Sequence, residues 1–223
     1  MYRLETHMHT SQSSACASST AEEMVRAYKE LGYNGVIITD HFLNGSTTVD
    51  RTQAWDKQIS DFCKGYEDAK AEGDKVGIDV FFGLEYTYCG TDLLTYGVDK
   101  DWLIHHPEIM DLSVIDYIKL VQQSGGMIIE AHPFREADYI TTIRLYPKFV
   151  DGMEVRNTAP EHYTKRGDDI TRMICESYNL AMTSGSDSHA TNRIGKGGME
   201  FDEDIKDIAD FMRLVKEGSG KLL

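Results

Sequence analysis

The chain has 223 residues, 41% of them hydrophobic, which is enough to bury one sizeable core, so a single domain over residues 1–223 is expected. Its 37 acidic residues outnumber 23 basic ones, and the net charge of −14 repels polyanions and disfavours long nucleic acids as partners. No apolar run approaches the ~20 residues of a membrane-spanning helix. Cys16, Cys63, Cys89 and Cys175 are widely spaced with no CxxC pair, so a reduced, cytoplasmic protein without a membrane partner is expected.

Short apolar runs alternate with helical patterns along the whole chain, the rhythm of repeated β-α units. The first strand is expected from Tyr2 to His7. Ser19 with Glu22 then forms a capping box for a helix carrying Met24, Ala27, Tyr28 and Leu31 on one face and ending at Gly32. Gly35 to Thr39 has the length and apolarity of a buried strand, and the charged segment after His41, to about Lys75, is expected as one mostly exposed helix. Strands follow at Val80–Tyr86 and Leu93–Val98. Ser113 and Asp116 cap a helix through Val114, Tyr117, Ile118 and Val121, leading to a strand at Met127–Ile129. Gly152–Val155 is the next strand, Ile170, Met173 and Ile174 mark a helix, and Leu180–Thr183 is the last expected strand. Ile205, Ile208, Met212 and Val215 belong to a final helix.

Within this pattern His7, His9, His41, Glu85, His132, Asp187 and His189 all fall at or just beyond strand C-terminal ends, which converge on one face of a barrel of parallel strands. His7 and His9 are two apart, so on an extended backbone both point the same way, and Asp187 and His189 repeat that spacing. Imidazoles suit zinc, iron or manganese, and a carboxylate such as Glu85 can bridge two cations. Each signal is weak alone. An HxH pair is commonly accidental, and His41 or His132 taken singly reads more readily as a cap or core histidine. The conjunction of all of them at one end of the strands favours a metal cluster. His105, His106 and His162 lie elsewhere and are expected on the surface.

The motifs HMHT from His7, ITDH at Ile38–His41, GLE at Gly83–Glu85, AHP at Ala131–Pro133 and SDSH at Ser186–His189 resemble those of the PHP (polymerase and histidinol phosphatase) superfamily. They keep the family order over nearly the whole chain, and EAHPFR and GMEVRN add to the likeness. The resemblance implies a distorted seven-stranded TIM-like α/β barrel and two or three divalent ions, usually Zn, Mn or Fe. By similarity, His7, His9, Glu85 and Asp187 would surround one ion. Glu85 would bridge to a second ion held also by His132, and His41 with His189 would face a third. Two departures stand out. The loop after HxH carries Ser13-Ser14-Ala15-Cys16-Ala17 where members usually have a His or Asp, so a third ion is expected to be weak unless Cys16 substitutes. No mid-chain histidine matches the second ion's further ligand, which leaves Asp92, His105 or solvent.

The activity this implies is hydrolysis of a small phosphate monoester or short nucleotide by a metal-bound hydroxide, with Glu85, Asp187 and Arg135 as the expected catalytic residues. Arg135, Arg156, Arg193 and Lys196 follow strand ends and are candidates for holding phosphate; as surface ion pairs in an acidic protein they would be unremarkable. Asp40 either orients a ligand histidine or caps its strand. The alternatives are an amidohydrolase-type C–N hydrolase, although the strand ends lack that class's modified lysine, a nuclease, and a non-catalytic PHP-like binding domain.

Overall fold

The computed structural model describes residues 1–160, 164–194 and 196–223. Strands β1 (Tyr2–Met8), β2 (Gly35–Ile38) and β3 (Asp79–Tyr88) run parallel. A two-residue turn, Cys89-Gly90, then takes positive φ at both positions, the geometry that matches strand twist in tight hairpins. It reverses the chain, so β4 (Thr91–Tyr96) pairs antiparallel with both β3 and β5 (Met127–Ala131). β6 (Gly152–Asn157) and β7 (Ala181–Gly185) continue parallel to β5. On the other flank, β8 (Met199–Phe201) lies antiparallel to β1 and carries β9 (Lys221–Leu222).

The resulting order is β7-β6-β5-β4-β3-β2-β1-β8-β9. The sheet curls so that the chain leaving β7 meets β1, where Asp187 N donates to the His7 carbonyl at 2.8 Å and His9 N donates to the Ser188 carbonyl at 2.9 Å. The sheet is therefore a nearly closed barrel of mixed direction, with nine strands among the described residues rather than the seven expected, and it is not wholly parallel. β8 and β9 were not anticipated because two or three residues carry no readable period.

The helices pack outside. α1 (Ala21–Glu30) is capped by Thr20 and Glu23, one residue later than the Ser19–Glu22 box expected. Ser19 Oγ instead accepts from Thr191 N at 3.0 Å, tying the loop to the chain's last third. The segment expected as one helix is two, α2 (Trp55–Phe62) and α3 (Lys64–Val76), broken at Cys63, which turns Ile59 and Phe62 into the core. α4 (Lys100–His105) is capped by Asp99. α5 (Val114–Gln123) begins at the anticipated Ser113 cap. α6 (Lys165–Tyr178) and α7 (Ile208–Lys216) complete the layer.

The buried apolar residues form three clusters. Leu4, Ile37, Leu94, Tyr96, Met127 and Ile129 fill the barrel interior, and Phe211 of α7 meets Tyr96 edge-on at 5.1 Å, plugging the end where β1 begins. The opposite end is left to polar side chains. Among the described residues no helix is long and apolar enough to cross a membrane.

Candidate metal centre

Five histidines and two carboxylates meet at the open end of the barrel, and their ligand atoms fall into three overlapping groups: His7, His9 and Asp187; His7, Glu85 and His132; and His9, His41 and His189. His9 Nε2 lies 3.3 Å from His7 Nε2 and 3.1 Å from Asp187 Oδ1. His132 Nε2 lies 3.2 Å from Glu85 Oε1 and 3.6 Å from Asp187 Oδ2. All seven residues singled out in the sequence are thus brought together. The grouping differs from the expected one: Glu85 falls with His132 and His7 rather than with His7, His9 and Asp187, and His9 joins His41 and His189, giving the outer group a third imidazole.

Hydrogen bonds fix which nitrogen of three of the five rings faces inward. His7 Nδ1 donates to Glu154 Oε1 at 3.0 Å, and His189 Nδ1 donates to the Asp187 carbonyl at 2.8 Å, since neither acceptor can give a proton. Ser14 Oγ gives its proton to Asp40 Oδ1 at 2.7 Å, so His9 Nδ1, 3.2 Å away, donates to Ser14. In each case the ring, once neutral, would present its Nε2 lone pair to the cluster, the state a metal ligand requires. Asp40 therefore acts on His9 only through Ser14, and its other bonds, from Thr10 N at 2.6 Å and Thr10 Oγ1 at 2.7 Å, shape the loop. Burial raises the Asp40 carboxyl to about 6 against the pull of these donors.

Glu154 and Glu5 escaped the sequence reading. Glu154 Oε2 accepts from His132 N at 3.0 Å and from Asn157 Nδ2 at 2.9 Å, so one inward carboxylate of β6 orients two ligand residues. Its inward register next to Gly152-Met153 was the available signal. Fully buried Glu5 accepts through Oε1 from the backbone N–H of Thr6, His7 and Ser186, each at 2.9 Å, and through Oε2 from Tyr28. Gly185 permits the crowding: a Cβ there would lie 2.5 Å from His7 Cβ and 2.6 Å from Glu154 Oε1. His132 (φ 29°) and Asp187 (φ 51°) occupy the left-handed region that side chains rarely adopt, a strain that clusters at functional sites.

The electrostatics are those of opposed charges out of water. Burial works against His7 protonation, but Asp187, Glu154 and Glu85 outweigh it and hold His7 well above the usual imidazole range. Burial and the neighbouring His189 and His41 push His9 well below it. Burial would raise Asp187 and Glu85, yet the surrounding histidines keep both well below the usual carboxylate range. His41 Nδ1 and Glu85 Oε2 approach to 2.6 Å, but neither is aligned to make a hydrogen bond. Two buried, unaligned electron-pair donors at that separation, in an imidazole and carboxylate set, fit a divalent cation.

Around this core the other candidates divide. Arg135 is nearly buried, donates through Nη2 to Asp92 Oδ2 at 2.7 Å, and shares the cavity above the cluster with Cys16, His41, Asp187 and His189. Asp92, at the start of antiparallel β4, stands 3.9 Å from His132 Nε2. His105 is exposed on α4, bonded to the Asp101 carbonyl, and does not join the cluster. Arg193 is exposed on the cavity rim. Arg156 is turned outward, 3.6 Å from Asp168 of α6, and Lys196 is exposed and does not line the cavity. His162 lies outside the described residues. Cys16, also exposed, sits beside His189 and His41; burial opposes ionisation, but these contacts draw its thiol down to about 6.

A nearly closed α/β barrel gathering imidazoles and carboxylates at one end defines a class, the barrel proteins with a candidate divalent-metal centre. A family model described as PHP-associated matches residues 171–219. Over the whole chain, the fold is similar to a two-domain Bacteroides vulgatus protein containing a predicted PHP-like metal-dependent phosphoesterase (14% identity, TM-score 0.70, all of this chain and 64% of that one). It is similar also to a proposed metal-dependent phosphoesterase of Bifidobacterium adolescentis (16%, TM-score 0.56, 96% of each chain). A third likeness is to an amidohydrolase of Chromobacterium violaceum with bound sulfate and no metal (14%, TM-score 0.60, 99% of this chain and 98% of that one). A search of curated proteins found no match. The family match is confined to residues 171–219, and the likeness to these solved structures is one of fold.

Proposed function

We propose that the chain is a metal-dependent phosphoesterase acting on a small phosphate monoester or short nucleotide. His7, His9 and Asp187, Glu85 with His132, and His41 with His189 would hold two or three divalent ions. Such ions supply Lewis acidity and make water nucleophilic near neutral pH.

The protein's own contribution is orientation and charge. Glu154, Ser14 and the Asp187 carbonyl keep protons on Nδ1 of His7, His9 and His189, leaving the inward nitrogens free to ligate. Asp92 anchors Arg135 through one terminal nitrogen. The observation that carries the phosphoester reading is Arg135 Nε, a buried cationic donor with no hydrogen-bond partner, beside the cluster. Phosphate oxygens would satisfy that donor and place developing negative charge against a guanidinium, whereas a neutral amide carbonyl offers less. The acidic surface favours small substrates over polymers.

The likeness to an amidohydrolase supports C–N hydrolysis as the second reading. The two separate in a turnover assay of protein loaded with manganese, zinc or iron, scored for phosphate release from monoesters and short oligonucleotides and for cleavage of amides and lactones. Turnover of the amides or lactones without any phosphate release would overturn the phosphoesterase reading.

A further inference from the structure

We propose that the Cys16 sulfur joins His41 and His189 as a metal ligand, giving the outer position of the cluster a thiolate. The inference rests on the metal-centre reading above and adds to it the identity of one donor and the metals it selects.

The backbone places Cys16 with unusual definition for an exposed loop residue. On one side, Ser14 Oγ accepts from His41 N at 3.0 Å. On the other, Ser18 N donates to the His189 carbonyl at 2.8 Å. Ala15 N donates to the Ser46 carbonyl at 2.7 Å, closing the loop against the cavity wall. Cys16 is therefore suspended between the two strand ends that carry His41 and His189, and it lines the same cavity as both. A merely packed thiol would turn its sulfur into apolar surroundings, as Cys63 does. Here the sulfur faces imidazoles. The independent sign that this position wants a cation is His41, only 9% exposed, whose Nδ1 makes no hydrogen bond, opposite an equally unsatisfied Glu85 Oε2.

Sulfur changes which ion fits. A thiolate with imidazoles favours zinc, iron or cobalt, whereas manganese and magnesium prefer oxygen donors. It also exposes a ligand to oxidants and alkylating agents, which the histidines and carboxylates resist.

Cobalt(II) reports the donor directly. Wild-type protein titrated with cobalt should show a sulfur-to-cobalt charge-transfer band in the near ultraviolet. Cys16→Ser should abolish the band and weaken cobalt binding at this position at least about 10-fold, since even outer partners of metal ligands are worth that much. Cys89→Ser, altering the other exposed cysteine of the cavity, should leave the band intact. Saturating zinc should slow alkylation of Cys16 by iodoacetamide about 10-fold or more. Visible cobalt bands without the charge-transfer band, or a band that survives Cys16→Ser, would overturn the thiolate assignment while leaving the metal centre standing. Failure of the wild type to take up cobalt, zinc or manganese at all would overturn both.

Discussion

The inner and outer halves of the cluster are built to different standards. Around His7 the ligands are buried and two of them are held from outside the cluster: Glu154 grips the His7 ring and the His132 backbone, and Glu5 ties the His7 backbone to Ser186. Around His41 and His189 the rings border an open cavity, His189 is braced by a single backbone carbonyl, and the adjoining loop is exposed at Cys16. The lesson is that rigidity is concentrated where two groups share a ligand, and access is left where one group faces solvent. An inner ion should bind tightly and exchange slowly, an outer one readily.

The largest expected effect comes from the residue that spans both halves. Glu85 touches His7, His9, His41 and His132, so Glu85→Ala should lower metal content in both halves and reduce kcat/KM by more than about 100-fold, the upper range for removing a mere outer partner. Elemental analysis of folded variant protein checks it; unchanged stoichiometry would remove Glu85 from the centre.

Next, Glu154→Gln breaks the inner half selectively. The His7 ring, the His132 amide and the Asn157 amide all donate to Glu154, and a glutamine must oppose at least one of them with its own N–H. A loss of about 10- to 100-fold in inner-ion affinity is expected, with the outer ion little changed, by competition against a chelator. Gly185→Ala should wedge apart the same pair and cost about 1–3 kcal/mol of stability, read as a Tm lowered by roughly 2–4 °C for each kcal/mol.

Arg135→Lys tests the cavity rather than either half. Keeping the charge but losing the planar fork should raise KM or lower kcat by about 10-fold at unchanged metal content. Lost metal would give Arg135 a structural role through Asp92.

Smallest in its effect on the centre is Glu130, which lies on the outer face of β5, accepts from Tyr146 N and leaves Oε1 unsatisfied. Burial raises its carboxyl from 4.5 to about 7. Because the folded state holds this proton more tightly than the unfolded chain does, stability is greatest below about 4.5 and falls as pH rises toward 7. Glu130→Gln should match the wild type at pH 5 and exceed it at pH 8, by at most about 3 kcal/mol in denaturant unfolding, with catalysis unaffected.

The seven ligand candidates were legible because side chains beyond the C-terminal ends of parallel strands must converge, so position along the sequence stood in for position in space. Asp92 broke that rule. It opens an antiparallel strand, so its N-terminal end faces the cluster, and only the Cys89-Gly90 turn could have revealed the reversal. Glu154 and Glu5 were hidden for another reason: a carboxylate inside a strand carries no motif, and its importance lies in the N–H groups it meets after folding. The helix start at Thr20 was missed by one residue because Ser19 and Thr20 are both good caps, and the choice was made by the bond from Thr191.

Glu5 also sets an order of events. Its carboxylate joins residues 5 and 186, nearly the full length of the chain apart, and the Asp187–His7 backbone bond repeats the link. On the ribosome His7 and His9 emerge before their partners around residue 187, which arrive only after most of the barrel has been made. Loop closure over such a distance belongs among the late steps of folding. Ion capture by His7, His9 and Asp187 together would therefore mark a finished barrel, and a nascent or truncated chain lacking residues 186–189 would hold its first histidines without the means to lock an ion between them.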